Sequence, residues 1–223
     1  MPDGQYSFYL HSDDRTDIAA MATINTISQP LRGEFIRTAA TAGAVVYQVD
    51  ARLPALIPVF FAGQLSAVRL CAVMALVSGT WSSLTGLPDE PENGEAALPV
   101  SPETEYQRRR YTLTLQNGRS GERVESVLTE ASSRLRGDLL RNLIITGLAL
   151  HTTAPELPRL LASMPVPPTS VSELQALVQQ MAGTAAVSRA AAAVPDTPAA
   201  SAAPVSGSDT REIKKNMRRA FGD

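Results

Sequence analysis

The feature that most constrains this chain is that it carries one pattern twice. Residues 31–56 align without a gap against residues 135–160, at a constant offset of 104. Eight of the 26 positions are identical: Leu31/Leu135, Arg32/Arg136, Gly33/Gly137, Arg37/Arg141, Gly43/Gly147, Leu53/Leu157, Pro54/Pro158 and Leu56/Leu160. Glu34/Asp138 and Ile36/Leu140 are conservative pairs. Upstream, one residue of slippage aligns residues 6–10 with 111–115. A fold for this chain must therefore be assembled from two versions of one unit.

Each copy reads as a short strand followed by two helices. In the strands, Phe8 and Leu10 point one way, as do Leu113 and Leu115; Ser7, Tyr9 and His11, like Thr112, Thr114 and Gln116, point the other. The first helix follows a polar turn and presents Ile18, Met21, Ile24 and Ile27, matched by Val124, Val127, Leu128 and Ala131. The second helix carries Phe35, Ile36, Ala39, Ala40, Val46 and Tyr47, matched by Leu139, Leu140, Leu143, Ile144, Leu150 and His151, at helical spacing. Gly43 and Gly147 sit mid-helix, where glycine costs about 1 kcal/mol relative to alanine; their recurrence suggests close backbone approach at a helix crossing. Pro54 and Pro158 open a further short helix, and residues 65–77 and 170–181 read as packing helices that close each copy.

A lone strand leaves its backbone groups unpaired. Two copies remove the difficulty if the strands pair as an antiparallel ribbon with helices beneath the Phe8/Leu10 and Leu113/Leu115 face. The other face then carries Ser7, Tyr9, His11, Thr112, Thr114 and Gln116, side chains suited to reading base edges from a two-stranded ribbon in a major groove. An Arg-Gly-acid sequence opens each second helix after a serine-bearing turn. Arg32, Gly33, Arg136 and Gly137 are thus candidate phosphate contacts, because free helix amides and a nearby arginine suit a phosphate oxygen. The run Arg108-Arg109-Arg110, read as lying just before the second strand, would add a backbone clamp. The structural alternatives are an ordinary edge strand, a solvated arginine face, and Arg32 and Arg136 paired with acids a turn away.

Charge divides the chain. Residues 62–105 have a net charge of −5, residues 106–183 of +3 and residues 184–223 of +2, within a total of −2. The expected organisation is a first copy over 1–84, an acidic Pro-rich linker over 85–105, a second copy over 106–183, a disordered Ala/Pro/Ser tether over 184–208 and a terminal helix over 209–223. In that helix Ile213, Met217 and Phe221 share one face, while Lys214, Arg218 and other basic residues lie opposite. So short a helix is marginal alone in water, and its spacing of anchors is that of a helix laid in a partner's groove; a non-specific DNA-binding tail or an acidic-membrane peptide are the competing readings. One cysteine and two histidines exclude a disulfide framework or a zinc motif. The run 65–77 is too short to span a bilayer and contains Arg69. Residues 1–14 hold no basic residue and no apolar run, so they are not expected to act as a secretory signal, and no phosphate-binding loop, serine-nucleophile or zinc-protease motif occurs. The expectation is a cytoplasmic protein that is not an enzyme, uses no cofactor and binds no membrane.

Residues 6–15, followed by 31–49, resemble the ribbon-helix-helix proteins, and more specifically the ParR-type (StbB-type) plasmid partition adaptors. The resemblance covers 5–61 well and 106–164 as a more diverged copy. It implies a mainly α fold with a short antiparallel β-ribbon, here a tandem ribbon-helix-helix pseudo-dimer with each copy extended by extra helices. It also implies binding to double-stranded DNA carrying centromere-like repeats, self-association on that DNA, and engagement of an actin-like ParM-type ATPase filament by the C-terminal peptide. Ile213, Lys214, Met217, Arg218 and Phe221 would be the partner-binding residues. Two other functions fit the residues: a ribbon-helix-helix repressor or antitoxin whose tail wraps a toxin, and a helical scaffold with no DNA role.

Overall fold

The computed structural model describes residues 4–80 and 107–192. Its elements run β1 (Gln5–His11), α1 (Arg15–Asn25), α2 (Gln29–Val49), α3 (Leu53–Leu56), a 3-10 turn (Ile57–Phe60), α4 (Ala67–Ser78), β2 (Arg108–Thr114), α5 (Arg119–Glu130), α6 (Arg136–Thr153), α7 (Leu157–Ser163) and α8 (Val171–Ala192). Of the described residues, 4–80 and 107–187 belong to one compact unit. The chain is mainly helical, with one two-stranded antiparallel sheet among the described residues.

The sheet forms within the chain: β1 pairs with β2, with Ser7 opposite Thr112, Phe8 opposite Tyr111 and Tyr6 opposite Leu113. The register follows the repeat. With the one-residue slip, Ser7 corresponds to Thr112, so this pair joins equivalent residues, and Tyr6/Leu113 and Phe8/Tyr111 are the same pairing seen from either copy. The amide of Leu115 bonding the Gly4 carbonyl (3.3 Å) and that of Ser12 bonding the Gln107 carbonyl (3.0 Å) extend the ladder at its two ends. Alternation then decides what is buried. Phe8, Leu10, Leu113 and Leu115 point inward and are buried, and Phe8 stacks on Tyr111 at 5.2 Å between ring centroids.

Beneath the ribbon, α2 and α6 cross. Their inward residues include Ile36, Ala39, Ala40, Val45 and Val46, facing Leu140, Leu143, Ile144, Leu148 and Leu150. Complete burial of each large aliphatic chain contributes roughly 1.5–3 kcal/mol. The two mid-helix glycines mark the crossing. A Cβ on Gly43 would lie 2.6 Å from the Leu143 carbonyl carbon, and one on Gly147 would lie 2.6 Å from that of Ala39. Residues 39 and 143 are themselves equivalent in the repeat, so each copy inserts its glycine against the same place in the other. Close backbone approach, rather than chance, accounts for both.

Several details differ from the sequence reading. The strands are seven residues long, and β2 begins at Arg108, so the arginine run lies inside the strand because β1 supplies backbone partners as far as His11. Gln116 falls beyond the end of β2. In α1 the buried positions are Asp17, Ala19, Ala20 and Ile24, while Ile18 and Met21 are half-buried, as is Ile27, which lies past the helix end; the face is turned because Asp17 points inward. Helix α8 continues to Ala192, so the Ala-rich stretch assigned to a disordered tether from residue 184 begins as helix. Alanine's high helix propensity is the reason. The acidic linker over 85–105 and the terminal segment over 209–223 lie outside the described residues. Among the described residues no helix is long and apolar enough to cross a membrane.

Candidate nucleic-acid interface

The outer face of the ribbon is fixed by the same alternation that buries its inner face. From β1 it presents Gln5, Ser7, Tyr9 and His11; from β2 it presents Arg108, Arg110, Thr112 and Thr114. Ser7, Tyr9 and His11 are half-buried by their neighbours, whereas Thr112 and Thr114 are exposed. Five of the six residues expected to read bases thus stand on one face; Gln116 is exposed just past the strand.

The arginine run splits by pleat. Arg110 reaches across to Ser7, donating to its Oγ from Nε (3.2 Å) and from a terminal nitrogen (2.9 Å). Arg108 lays its guanidinium over the Tyr9 ring, 3.6 Å from the centroid. Both therefore sit among the hydrogen-bonding side chains rather than in a separate clamp. Arg109 goes to the opposite face, 5.2 Å from the Tyr111 ring centroid. Beside it, burial pushes the Tyr111 phenol up from its usual range, and among the described residues its hydroxyl has no hydrogen-bond partner. Cation–π contacts of this kind hold long arginine stems in place at exposed sites, so the ribbon presents two oriented guanidinium groups.

The Arg-Gly pairs have a different local task. Arg32 Nε donates to the Ile27 carbonyl (2.8 Å), and Arg136 Nε to that of Ala131 (3.2 Å). Ile27 and Ala131 are equivalent residues following the end of α1 and α5, so both arginines brace the turn between their copy's two helices, where the sequence alternative was a partner acid a turn away. Helix α2 begins at Gln29, which puts Arg32 and Gly33 beyond its first three residues, whereas Arg136 and Gly137 open α6. A Cβ on Gly137 would stand 3.4 Å from the Ser7 carbonyl, so the start of α6 lies directly against the ribbon. The partner-binding positions Ile213, Lys214, Met217, Arg218 and Phe221 lie outside the described residues.

One element that sequence reasoning missed is a buried ion pair behind β1. Asp17 is fully buried; it accepts from the His11 amide (2.9 Å) and from Arg141 at 2.7 Å and 2.6 Å, and Arg141 also reaches Asp14 at 3.3 Å. The contact ties α1 to α6 across the two copies. Burial outweighs these favourable partners and holds the Asp17 carboxyl above its ordinary value. Apolar periodicity cannot reveal a buried acid; the recurring arginine pair Arg37/Arg141 of the repeat was the available signal. Among the described residues no group of three or more acidic, histidine or cysteine side chains could hold a metal ion.

The profile of a family described as plasmid stability protein matches residues 4–74 and again residues 109–178. Together the two segments span more than half of the chain. The chain belongs to the plasmid stability protein family. Each matched segment covers one copy of the repeat. No curated protein and no solved structure matches the chain.

Proposed function

We propose that this plasmid stability protein is a DNA-binding partition adaptor, in which a tandem ribbon-helix-helix pseudo-dimer on one polypeptide grips centromere-like repeats. The observation that carries the reading is the outer face of the ribbon, where Ser7, Tyr9, Thr112 and Thr114 share one face with the oriented guanidinium groups of Arg108 and Arg110. A two-stranded ribbon fits a major groove, and bidentate arginines and hydroxyls are the side chains that discriminate base pairs there. Arg136, Gly137 and the start of α6, held against the ribbon, would meet the flanking phosphates, with Arg32 and Gly33 as their counterparts. Coupling to an actin-like ATPase filament is assigned to residues 209–223, whose apolar anchors and basic face suit a partner groove. No chemical step is involved: the protein holds DNA at one end and a filament at the other, in the cytoplasm.

The test is fluorescence anisotropy with duplexes carrying tandem repeats from the plasmid's partition region, against scrambled duplexes. Tyr9→Ala and Thr114→Ala are expected to weaken repeat binding by about 1–3 kcal/mol for each base interaction they remove, with little effect on the scrambled duplex. Unchanged affinity in both variants would favour a helical scaffold without a DNA role.

A further inference from the structure

The two copies differ in charge at one structurally equivalent place. In the first copy the sequence opening α1 is Asp14-Arg15-Thr16-Asp17; in the second, at the repeat offset of 104, it is Gly118-Arg119-Ser120-Gly121 at the start of α5. The frame around the two is the same. Thr16 donates to the Pro58 carbonyl at 3.1 Å, and Ser120 donates to the equivalent Ala162 carbonyl at 3.2 Å. What changes is the charge. In the first copy Asp14 caps the helix by accepting from the Asp17 amide (2.9 Å), and both carboxylates bind Arg141. In the second copy glycines replace both carboxylates, and the arginine equivalent to Arg141 is Arg37.

The corresponding position in the second copy is open. A cleft of about 320 Å³ lies there, between α2, the start of α5 and α7. Arg37, Arg119 and Arg159 line it together with Ser120 and Ser163. The α5 N-terminus has no side-chain cap, so its first amides face the cleft region without an acceptor of the kind Asp14 supplies to α1. Among the described residues Glu34 is the one acid on the wall, and it is bonded to Arg37 at 2.7 Å. Three guanidinium groups against one carboxylate leave the cleft net cationic. Nor can a side chain from the helix fill it. Gly118 has φ +128°, a conformation that side chains rarely adopt, and a Cβ on Gly121 would collide with the Gln116 carbonyl.

We propose that this cleft binds a phosphate group, which takes the part that the Asp14 and Asp17 carboxylates play in the first copy. Phosphate matches the chemistry better than a lone carboxylate, since it offers several oxygens to guanidinium forks and helix amides at once. Two sources share that chemistry: the DNA backbone and a free phosphorylated small molecule. The inference does not rest on the ribbon's role, because the cleft lies at the start of α5 and none of the residues that carry it belongs to the ribbon's outer face.

The test is ¹H–¹⁵N NMR of the full chain, titrated with sodium phosphate, with adenosine monophosphate, with a short duplex of arbitrary sequence, and with sodium chloride at matched ionic strength. The amides of Gly118–Gly121 are expected to shift saturably with phosphate or the nucleotide, and the exposed-arginine variant R119Q/R159Q to weaken that binding at least about tenfold with thermal stability unchanged. Perturbation of the same amides by the duplex, abolished in R119Q/R159Q, would assign the phosphate to DNA; response to the nucleotide alone would assign it to a small molecule. Silence of these amides with every probe, shifts that chloride reproduces, or shifts that survive in R119Q/R159Q would each overturn the proposal. So would a shift of the same amides, without added phosphate, when the acids between residues 86 and 105 are changed to amides, because the chain's own carboxylates would then be the occupant. Failure of DNA binding by the ribbon variants would leave the phosphate and nucleotide titrations unaffected.

Discussion

Replacing Gly147 by alanine tests the helix crossing on which both copies depend. In an ordinary helix this change stabilises by about 1 kcal/mol, because alanine is the better helix former. Here the added Cβ would stand 2.6 Å from the Ala39 carbonyl carbon, whereas carbon–carbon contacts settle near 3.5–4.0 Å. The helices must therefore part by about 1 Å, and a gap of that size forfeits roughly a quarter to a half of the dispersion energy of each contact it opens. Backbone cannot rotate aside as a side chain can, which places the cost at about 3 kcal/mol, the upper end of ordinary overpacking. Net of propensity, G147A should destabilise by about 2 kcal/mol, and G43A by the same amount through the repeat's equivalence. For a chain of this size that is a fall in Tm of roughly 4–8 °C. Gly183 in α8 provides the internal control, since nothing lies within 4 Å of a Cβ built there; G183A should be neutral or slightly stabilising. Urea unfolding followed by circular dichroism reads all three variants. If G147A and G43A prove as stable as the parent, α2 and α6 do not cross at their glycines.

Removing the Asp17 carboxylate by D17A should destabilise by about 3–5 kcal/mol, the range for breaking a buried pair, measured by the same unfolding assay. The pH dependence has a definite sign: because burial holds the Asp17 carboxyl above its ordinary 3.8 in the folded chain, the proton-linked part of its contribution is full below that value and is lost as pH rises through the folded pKa. The parent should therefore gain stability relative to D17N on acidification toward pH 3.8; a gap that is flat with pH would refute the assignment. Substituting Arg108 or Arg110 by glutamine should reduce the slope of log affinity against log salt by about 1 for each phosphate interaction removed, in DNA titrations across salt concentrations. Deleting residues 209–223 should abolish filament binding in co-sedimentation while leaving DNA affinity intact; equal impairment of both would show the tail to be part of the DNA grip. Cys71, buried in α4 with its thiol pushed up by burial, should resist a thiol reagent until the chain unfolds.

Much of this fold is legible in the sequence because its signals are periodic and occur twice. Alternation separates Phe8, Leu10, Leu113 and Leu115 from Ser7, Tyr9, Thr112 and Thr114, and the structure buries the first set. The duplicated glycines point to a crossing that the backbone contacts at Leu143 and Ala39 locate. What escapes is whatever depends on a partner distant in sequence. Three consecutive arginines show no apolar alternation, so nothing local extends β2 back to Arg108; the partner strand does. Asp17 resembles any first-turn acid until Arg141 arrives from α6, 124 residues away. Arg32 and Arg136 advertise charge, but carbonyls at the preceding turn engage them. The start of α5 is visible only as a polar turn. Its significance comes from comparison with α1, where acids stand in place of its glycines.

The central claim is that a single polypeptide supplies both strands of one ribbon. Ser7 and Thr112 face each other across it, and opposed residues of an antiparallel pair stand roughly 4.5–5.5 Å apart at Cα, within the reach of a disulfide. The decisive measurement is the mass of the oxidised S7C/T112C variant under denaturing, non-reducing conditions. The account predicts a cross-linked species of one chain's mass. Covalent dimers as the main product would contradict it, because they would place β1 of one molecule against β2 of another.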